Sequence, residues 1–299
     1  MNVLQTSIDA LALGAVYALM AVGIGLVFGV LRLVNFAYGQ LIMAGAYTLA
    51  FTGSWGDPAS IAVCVAVVVT LSVAMELLAF RRLRGASPAT MLAATFAISF
   101  LLQSIALLRY SFANKPIGDS VGTLSGLNRS LRLGSAQIQW ITIVAIVVAL
   151  VVLAALGLFL NRTSIGLQMR AAAADFRTAR MLGVGANTVI LLAFVISGLL
   201  AAITAVIFVV QTPLVTPDFA LRDTIIVLVG IVVGGIDRLV TATLGGFFIG
   251  VATGVLGDTL PSGSRVYLPS AVFALVILVL LLRPRGLFAI FGRAPAERV

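Results

Sequence analysis

The sequence predicts an all-α fold, a polytopic transmembrane helical bundle forming a single domain over 1–299. Three observations carry this. Of 299 residues 61% are apolar and 10% charged, with a mean hydropathy of +1.18, which does not describe a water-facing surface. The apolar residues fall in runs near the ~20 needed to cross a bilayer as a helix. The basic residues sit between those runs rather than within them.

Taken in order, the candidate membrane segments are 8–30, 35–52, 60–80, 88–108, 138–160, 187–210, 224–236, 240–257 and 267–282. The run at 224–236 is too short to cross unless it extends through Arg222 and Asp223, so it reads as half of a broken or re-entrant element. The count is therefore eight or nine. With Arg283, Arg285, Arg293 and Arg298 placed inside, thirteen basic residues fall on that side and six on the other. This asymmetry puts the C-terminus in the cytoplasm. The N-terminus lies outside if nine segments cross and inside if eight do.

Two connections are long. The stretch 109–137 mixes Gly, Ser, Asn and Pro116 with both signs of charge and reads as an external loop. The stretch 161–186 lies on the inner side, opens with possible caps from Asn161 to Ser164, contains Ala171 to Ala174, and meets a terminator at Gly183. It reads as one short amphipathic helix with Met169, Ala172, Phe176 and Ala179 along a stripe and Arg170, Arg177 and Arg180 elsewhere. Such a helix either lies on lipid headgroups or docks its stripe in a groove of a partner protein.

Much familiar catalysis is excluded, because the chain has no histidine, one lysine (Lys115) and one cysteine (Cys64). An imidazole-dependent nucleophile, a His/Cys metal site and an internal disulfide all lack their residues. Lys115 lies between Asn114 and Pro116, which is no phosphate-binding loop. The net charge of +9 is explained by topology and a membrane-lipid surface rather than by nucleic acid. No enzyme, bound cofactor or metal is expected of this chain.

Glycines recur at four-residue spacing: Gly25 and Gly29, Gly230 and Gly234, then Gly246, Gly250 and Gly254 beside Gly245. Small residues on one face let helix backbones approach closely. Few polar groups lie at membrane depth. Glu76 is expected to pair with Arg81 or Arg82 near an inner boundary. Tyr17, Ser99, Gln103, Ser197 and Thr204, with Asn35, are uncharged candidates to line a path for a neutral or zwitterionic solute, and each equally suits an ordinary inter-helix hydrogen bond.

Four blocks resemble a known family. They are Gly14, Tyr17, Ala18, Leu19, Ala21, Gly23 and Gly29 with Arg32, Asn35-Phe36-Ala37-Tyr38-Gly39 and Gly45-Ala46-Tyr47; Gly166, Arg170, Ala171, Asp175, Ala179 and Gly183; Gly234-Gly235 with Ala242 and Gly245-Gly246; and Arg283 to Phe288. Together they resemble the membrane permease of branched-chain amino-acid ABC importers. The resemblance implies a multi-pass protein of the bacterial plasma membrane that pairs with a second, related permease. Two cytoplasmic ATPase subunits, which carry the ATP and Mg, and an external solute-binding protein complete the machine. It also implies that Arg170, Asp175, Phe176, Ala179 and Gly183 belong to an ATPase-coupling helix. The departures are Tyr38 and Gln40 where relatives carry His and an acid, Ile226 for a lysine, and Asp237-Arg238 and Val240-Thr241 between the glycine pairs. They bear on the solute: urea, short amides or another amino-acid class remain alternatives, as does a stand-alone carrier or channel.

Overall fold

The computed structural model describes residues 3–110, 130–133, 136–211, 216–235 and 238–283. The expected external loop lies largely outside these residues, as do Lys115, Asp237 and the terminal block from 284. The chain opens with α1 (Val3–Leu31), α2 (Tyr38–Thr52) and α3 (Asp57–Met75), which runs on through a π-helical stretch, Glu76–Phe80, into one turn, α4 (Arg81–Leu83). Helix α5 (Pro88–Tyr110) follows, then α6 (Trp140–Arg162), α7 (Ser164–Ala174), α8 (Phe176–Met181) and α9 (Ala186–Gln211). The last three are α10 (Phe219–Gly234), α11 (Leu239–Thr259) and α12 (Leu268–Leu282). The all-α class stands, with one local addition: Ser130–Leu133 and Ala136–Gln139 form a short antiparallel ribbon, β1 and β2, leading into α6. Residues 138 and 139, expected in the membrane run, belong to it.

Among the described residues six helices are long and apolar enough to cross a membrane: Leu4–Leu31, Asp57–Leu83, Pro88–Leu108, Trp140–Arg162, Ala186–Gln211 and Leu239–Thr259. Helices α2 and α10, with 15 and 16 residues, reach only about 22–24 Å at 1.5 Å per residue, short of the ~30 Å hydrocarbon layer. Both begin inside the bundle. Residues 32–37, expected partly in a membrane helix, are a non-helical return. Arg32 takes a positive φ of 56°, and the Asn35 side chain accepts a hydrogen bond from the Ala37 N–H at 3.1 Å, a local turn that releases the chain into α2. Tyr38 then lies against Gly23, where a Cβ would stand 2.2 Å from its hydroxyl. That is two turns, about 12 Å, back from the end of α1.

The same sequence of elements occurs twice, in opposite senses. A long helix, a short buried helix and a second long helix are α1, α2 and α3 in one half and α9, α10 and α11 in the other. Their packing is reciprocal: α1 lies along α11 as α9 lies along α3, α2 touches α9 as α10 touches α1, and the two short helices touch each other. Helix α1 ends, and α9 begins, at the end of the bundle that carries the arginines, where Arg32 donates to the Ala173 carbonyl at 2.8 Å and Arg84 donates to Asn187. The centre is α1, with 83% of its most apolar stretch buried against 17% for α6. Helix α6 presents most of its surface outward, as a helix does when lipid or another subunit is its solvent.

Glycine sets the spacing at the centre. A Cβ on Gly246 would lie 2.4 Å from the Ala21 Cβ, on Gly250 2.7 Å from the Gly14 Cα, and on Gly254 2.6 Å from the Ala10 Cα. Gly245 likewise presses on the Gly230 carbonyl and the Gly234 Cα. Backbone cannot withdraw as a side chain can, so α1, α10 and α11 are locked at a separation that only glycine allows. Gly25 and Gly29 do not share this role. Their nearest neighbours would be the Leu239 Cδ1 at 3.2 Å and the Ala173 Cβ at 3.7 Å, and both face a cavity.

Candidate functional site

The two short helices bring their first turns together inside the bundle. A Cβ on Gly39 would meet the Thr224 Oγ1 at 2.4 Å and the Ala220 carbonyl at 2.6 Å, so α2 crosses α10 with almost no side chain between them. One turn along, the Tyr17 hydroxyl donates to the Asp223 carboxylate at 2.8 Å. Asp223 is half-buried and Tyr17 fully so. This places a carboxylate within the apolar bundle, held by a phenol and beside the starts of two short helices, and ionisable groups so placed in membrane proteins commonly mark solute or ion pathways. Sequence reasoning assigns Asp223 no role. The signal for it is the acid's position at the head of an apolar run too short to be an ordinary span.

The other expected path residues do not gather around this pair. The Ser197 hydroxyl donates to the Gly23 carbonyl at 2.9 Å, joining α9 to α1, and the Thr204 hydroxyl donates to the Leu200 carbonyl of its own helix at 2.8 Å. Asn35 is occupied in the return before α2, while Gln103 lies half-buried on α5. Gln40, in the first turn of α2, is fully buried, and neither amide atom has a hydrogen-bond partner among the described residues. Glu76 forms its ion pair with Arg84, not with Arg81 or Arg82. The π-helical stretch adds a residue to the turn and rotates the arginines that follow, leaving Arg81 and Arg82 exposed and Arg84 over the carboxylate.

At the arginine-bearing end the expected single helix is two. Thr163 caps α7, its hydroxyl accepting from the Gly166 N–H at 2.9 Å. The chain then breaks at Asp175, which adopts extended φ and ψ of −149° and 102° and caps α8 by accepting from the Arg177 and Thr178 N–H groups at 3.0 and 3.2 Å. Gly183, at φ +88°, ends α8, with the Val184 N–H donating to the Ala179 carbonyl at 3.1 Å in a Schellman closure. The stripe also points elsewhere than expected. Met169, Ala172 and Ala179 are buried against this chain's own bundle, with Phe176 partly so. What the α7–α8 unit offers outward is Arg170, Asp175, Arg177, Arg180 and a bare apolar tip, Met181 and Leu182, exposed by 73% and 81%. The stripe is needed to seat a short helix that has too few turns to stand alone.

The match to known proteins runs end to end. Residues 7–282 fit the family described as branched-chain amino acid transport system, permease component. The chain belongs to this permease family. The permease is 32% identical to the high-affinity branched-chain amino acid transport system permease protein BraD of Pseudomonas aeruginosa, covering 99% of this chain and 98% of that one. It is 29% identical to LivH of Salmonella typhimurium and 28% identical to LivH of Escherichia coli K12, with 99% and 97% covered in each case. Among solved structures, PsaBC from Streptococcus pneumoniae in complex with Fab superposes with a TM-score of 0.53 at 14% identity, covering 95% of this chain and 94% of that one. At that identity the likeness is one of fold, and it extends over almost the whole permease.

Proposed function

We propose that this permease forms half of the translocation pore of an ATP-binding-cassette importer for branched-chain or related hydrophobic amino acids. It works by alternating access, paired with a second, related permease, with two cytoplasmic ATP-binding subunits that hold the ATP and Mg, and with an external solute-binding protein. The observation that carries this reading is the family match over residues 7–282. The arginine-bearing end faces the cytoplasm of a bacterial plasma membrane, as the positive-inside rule requires. Counting α2, α10 and α12 with the six long helices gives nine membrane segments, an outer N-terminus and an inner C-terminus.

The α7–α8 unit is the coupling element, and its exposed tip is the surface that meets the ATPase. Arg170, Asp175, Phe176, Ala179 and Gly183 keep the role the resemblance implies, divided by what each does: Asp175 and Gly183 fix the ends of α8, Phe176 and Ala179 seat it, and Arg170 faces outward. Motion of that unit reaches α1 through the Arg32 to Ala173 hydrogen bond. Helix α1 is locked to α11 by backbone contact at Gly246, Gly250 and Gly254, so the displacement is carried to Tyr17 and Asp223 rather than absorbed. There the carboxylate suits the ammonium group of a zwitterionic amino acid, and the surrounding apolar side chains suit its hydrocarbon.

Two substitutions separate coupling from folding. Leu182→Asp alters only an exposed side chain, and Gly183→Val forces a β-branched residue into the left-handed region. Both variants insert and keep the permease pair together, while solute-stimulated ATP hydrolysis and uptake fall together. Uptake lost with ATPase binding and stimulation unchanged assigns the defect to the pore and removes the coupling role from this unit.

A further inference from the structure

Helix α5 carries its polar residues inward. Its exposed sides hold Phe100, Leu101 and Ile105, whereas Thr95, Ser99 and Gln103 recur at four-residue spacing on the stripe against the bundle. Among the described elements its chief neighbour is α2, and the rings of Phe36 and Phe96 stack between the two with centroids 4.1 Å apart. Gln40 follows Phe36 by four residues and Ser99 follows Phe96 by three, so each stands about one helical turn beyond the stack. The other sides of α2 are filled. Tyr38 lies against Gly23 of α1, Gly39 against Ala220 and Thr224 of α10, and Gly45, on the same face as Tyr38, against Val68 and Cys64 of α3 and Ala205 of α9. Gln40, about 160° around the helix from Tyr38, takes the side that remains, toward α5. Both Gln40 and Ser99 are fully buried, and neither the Gln40 amide atoms nor the Ser99 hydroxyl has a hydrogen-bond partner among the described residues.

We propose that the α2–α5 seam is a solute-contact subsite of the translocation path, where Gln40 and Ser99 exchange hydrogen bonds with the polar end of a zwitterionic hydrophobic amino acid. The inference rests on the transport reading above. Leaving a buried polar group unpaired is costly, so such groups are normally matched by protein, water or ligand. Inter-helix fastening looks different in this bundle: the equally buried Ser197 donates across to the Gly23 carbonyl at 2.9 Å, and Thr95 on α5 itself donates to the Leu92 carbonyl at 2.8 Å. Gln40 and Ser99 do neither. The amide brings two N–H donors and a carbonyl acceptor, and the hydroxyl brings one donor and an accepting oxygen. Together they serve a carboxylate and an ammonium group without adding net charge. Gln40 follows Gly39 and Asp223 precedes Thr224, the two residues in contact where α2 crosses α10. The neutral pair and the carboxylate thus stand at one depth of the bundle, and the stacked Phe36 and Phe96 rings beside the seam offer apolar surface to the solute's hydrocarbon.

The test uses the permease pair with its ATPase subunits in nanodiscs, where both faces meet solution, in a background with Cys64 replaced. Ser99→Cys is expected to react with an impermeant methanethiosulfonate during ATP-driven cycling, and leucine in the solution is expected to slow that reaction while urea does not. Ser197→Cys, at the α1–α9 contact, is the reference for a dry buried site. Gln40→Met keeps the volume of the side chain and removes the amide. Combined with Ser99→Cys it should raise the leucine concentration that halves labelling about fivefold, the equivalent of one neutral hydrogen bond. Because the amide has no partner within the bundle, the same substitution should not lower the melting temperature of the complex. A fall in melting temperature means that the amide fastens the helices. Labelling of Ser99→Cys no faster than of Ser197→Cys means a dry seam, and labelling that leucine does not slow means water alone. Each of these results overturns the subsite. Leucine uptake by the unaltered complex with its binding protein, measured in parallel in proteoliposomes, keeps the two readings apart. Uptake without protection at Ser99→Cys defeats the subsite only, whereas absence of uptake defeats the transport reading, and the subsite that rests on it falls too.

Discussion

Single residues hold this bundle together by two opposite devices, glycines that permit contact and a buried ion pair that fixes an end. Gly250 exemplifies the first. Its Cβ position lies 2.7 Å from the Gly14 Cα and 2.8 Å from the Leu13 carbonyl, so Gly250→Leu must push two backbones apart. Overpacking of this kind costs about 1–3 kcal/mol, and a fall in the thermal stability of the detergent-solubilised permease, with loss of uptake, is the expected result; wild-type behaviour would mean that α1 and α11 are not in contact. Glu76 and Arg84 exemplify the second. The Glu76 side chain is 2% exposed and that of Arg84 23%, which makes the two ends of the pair unequal. Arg84→Gln strands a carboxylate in an apolar site, where removing one partner costs about 3–5 kcal/mol. Glu76→Gln leaves a cation that still reaches water and Asn187, and costs less. Stability curves for the two variants in the reverse order would contradict the buried placement of Glu76.

At the scale of the element, the α7–α8 unit shows what a sequence does and does not reveal. Its outer caps are legible, because Thr163 and Gly183 are the residue types that begin and end helices. Its division in two is not, since an unbroken alanine run leading to Phe176 satisfies helical periodicity as well as the real break does. The direction of its stripe is also illegible: Met169, Ala172 and Ala179 have the same spacing whether the groove they enter belongs to this chain or to another. The break at Asp175 is maintained by a side chain rather than by a glycine or proline. Asp175→Ala removes the acceptor for two amides, a loss of about 1 kcal/mol, so the Thr178 amide should exchange its hydrogen about fivefold faster. Asp175→Asn, which keeps an acceptor, should not change it. Equal exchange in all three proteins would show that α8 does not depend on this cap.

For the whole molecule, hydropathy identifies a helical membrane bundle, and the positions of the long helices follow within a few residues. The inverted repeat escapes that reading because it is a relation of packing and direction. Asn35-Phe36-Ala37 lies just before α2 and Asp218-Phe219-Ala220 spans the start of α10, too little to signal a repeat amid general apolarity. The short run at 224–236 is part of a continuous helix that extends back through Arg222 and Asp223 to Phe219, so it is a short helix rather than a broken one, with Asp223 in its second turn. What the fold accomplishes is to bring the starts of both short helices to one place beside Tyr17 and Asp223, and to link that place through α1 to the α7–α8 unit. The central claim, that this permease carries hydrophobic amino acids when driven by ATPase subunits, is tested most directly by uptake into proteoliposomes. These would contain the permease pair and ATPase subunits, with ATP inside at the ATPase face and binding protein outside, and labelled leucine would be supplied with excess isoleucine, valine or urea as competitor. The account predicts ATP-dependent leucine accumulation that isoleucine and valine suppress and that urea leaves unchanged. Asp223→Asn should lower it about tenfold, on the order of the 1.4 kcal/mol that one lost charge-assisted contact represents. Leucine uptake without ATPase subunits, or accumulation competed by urea and not by the branched-chain amino acids, would contradict it.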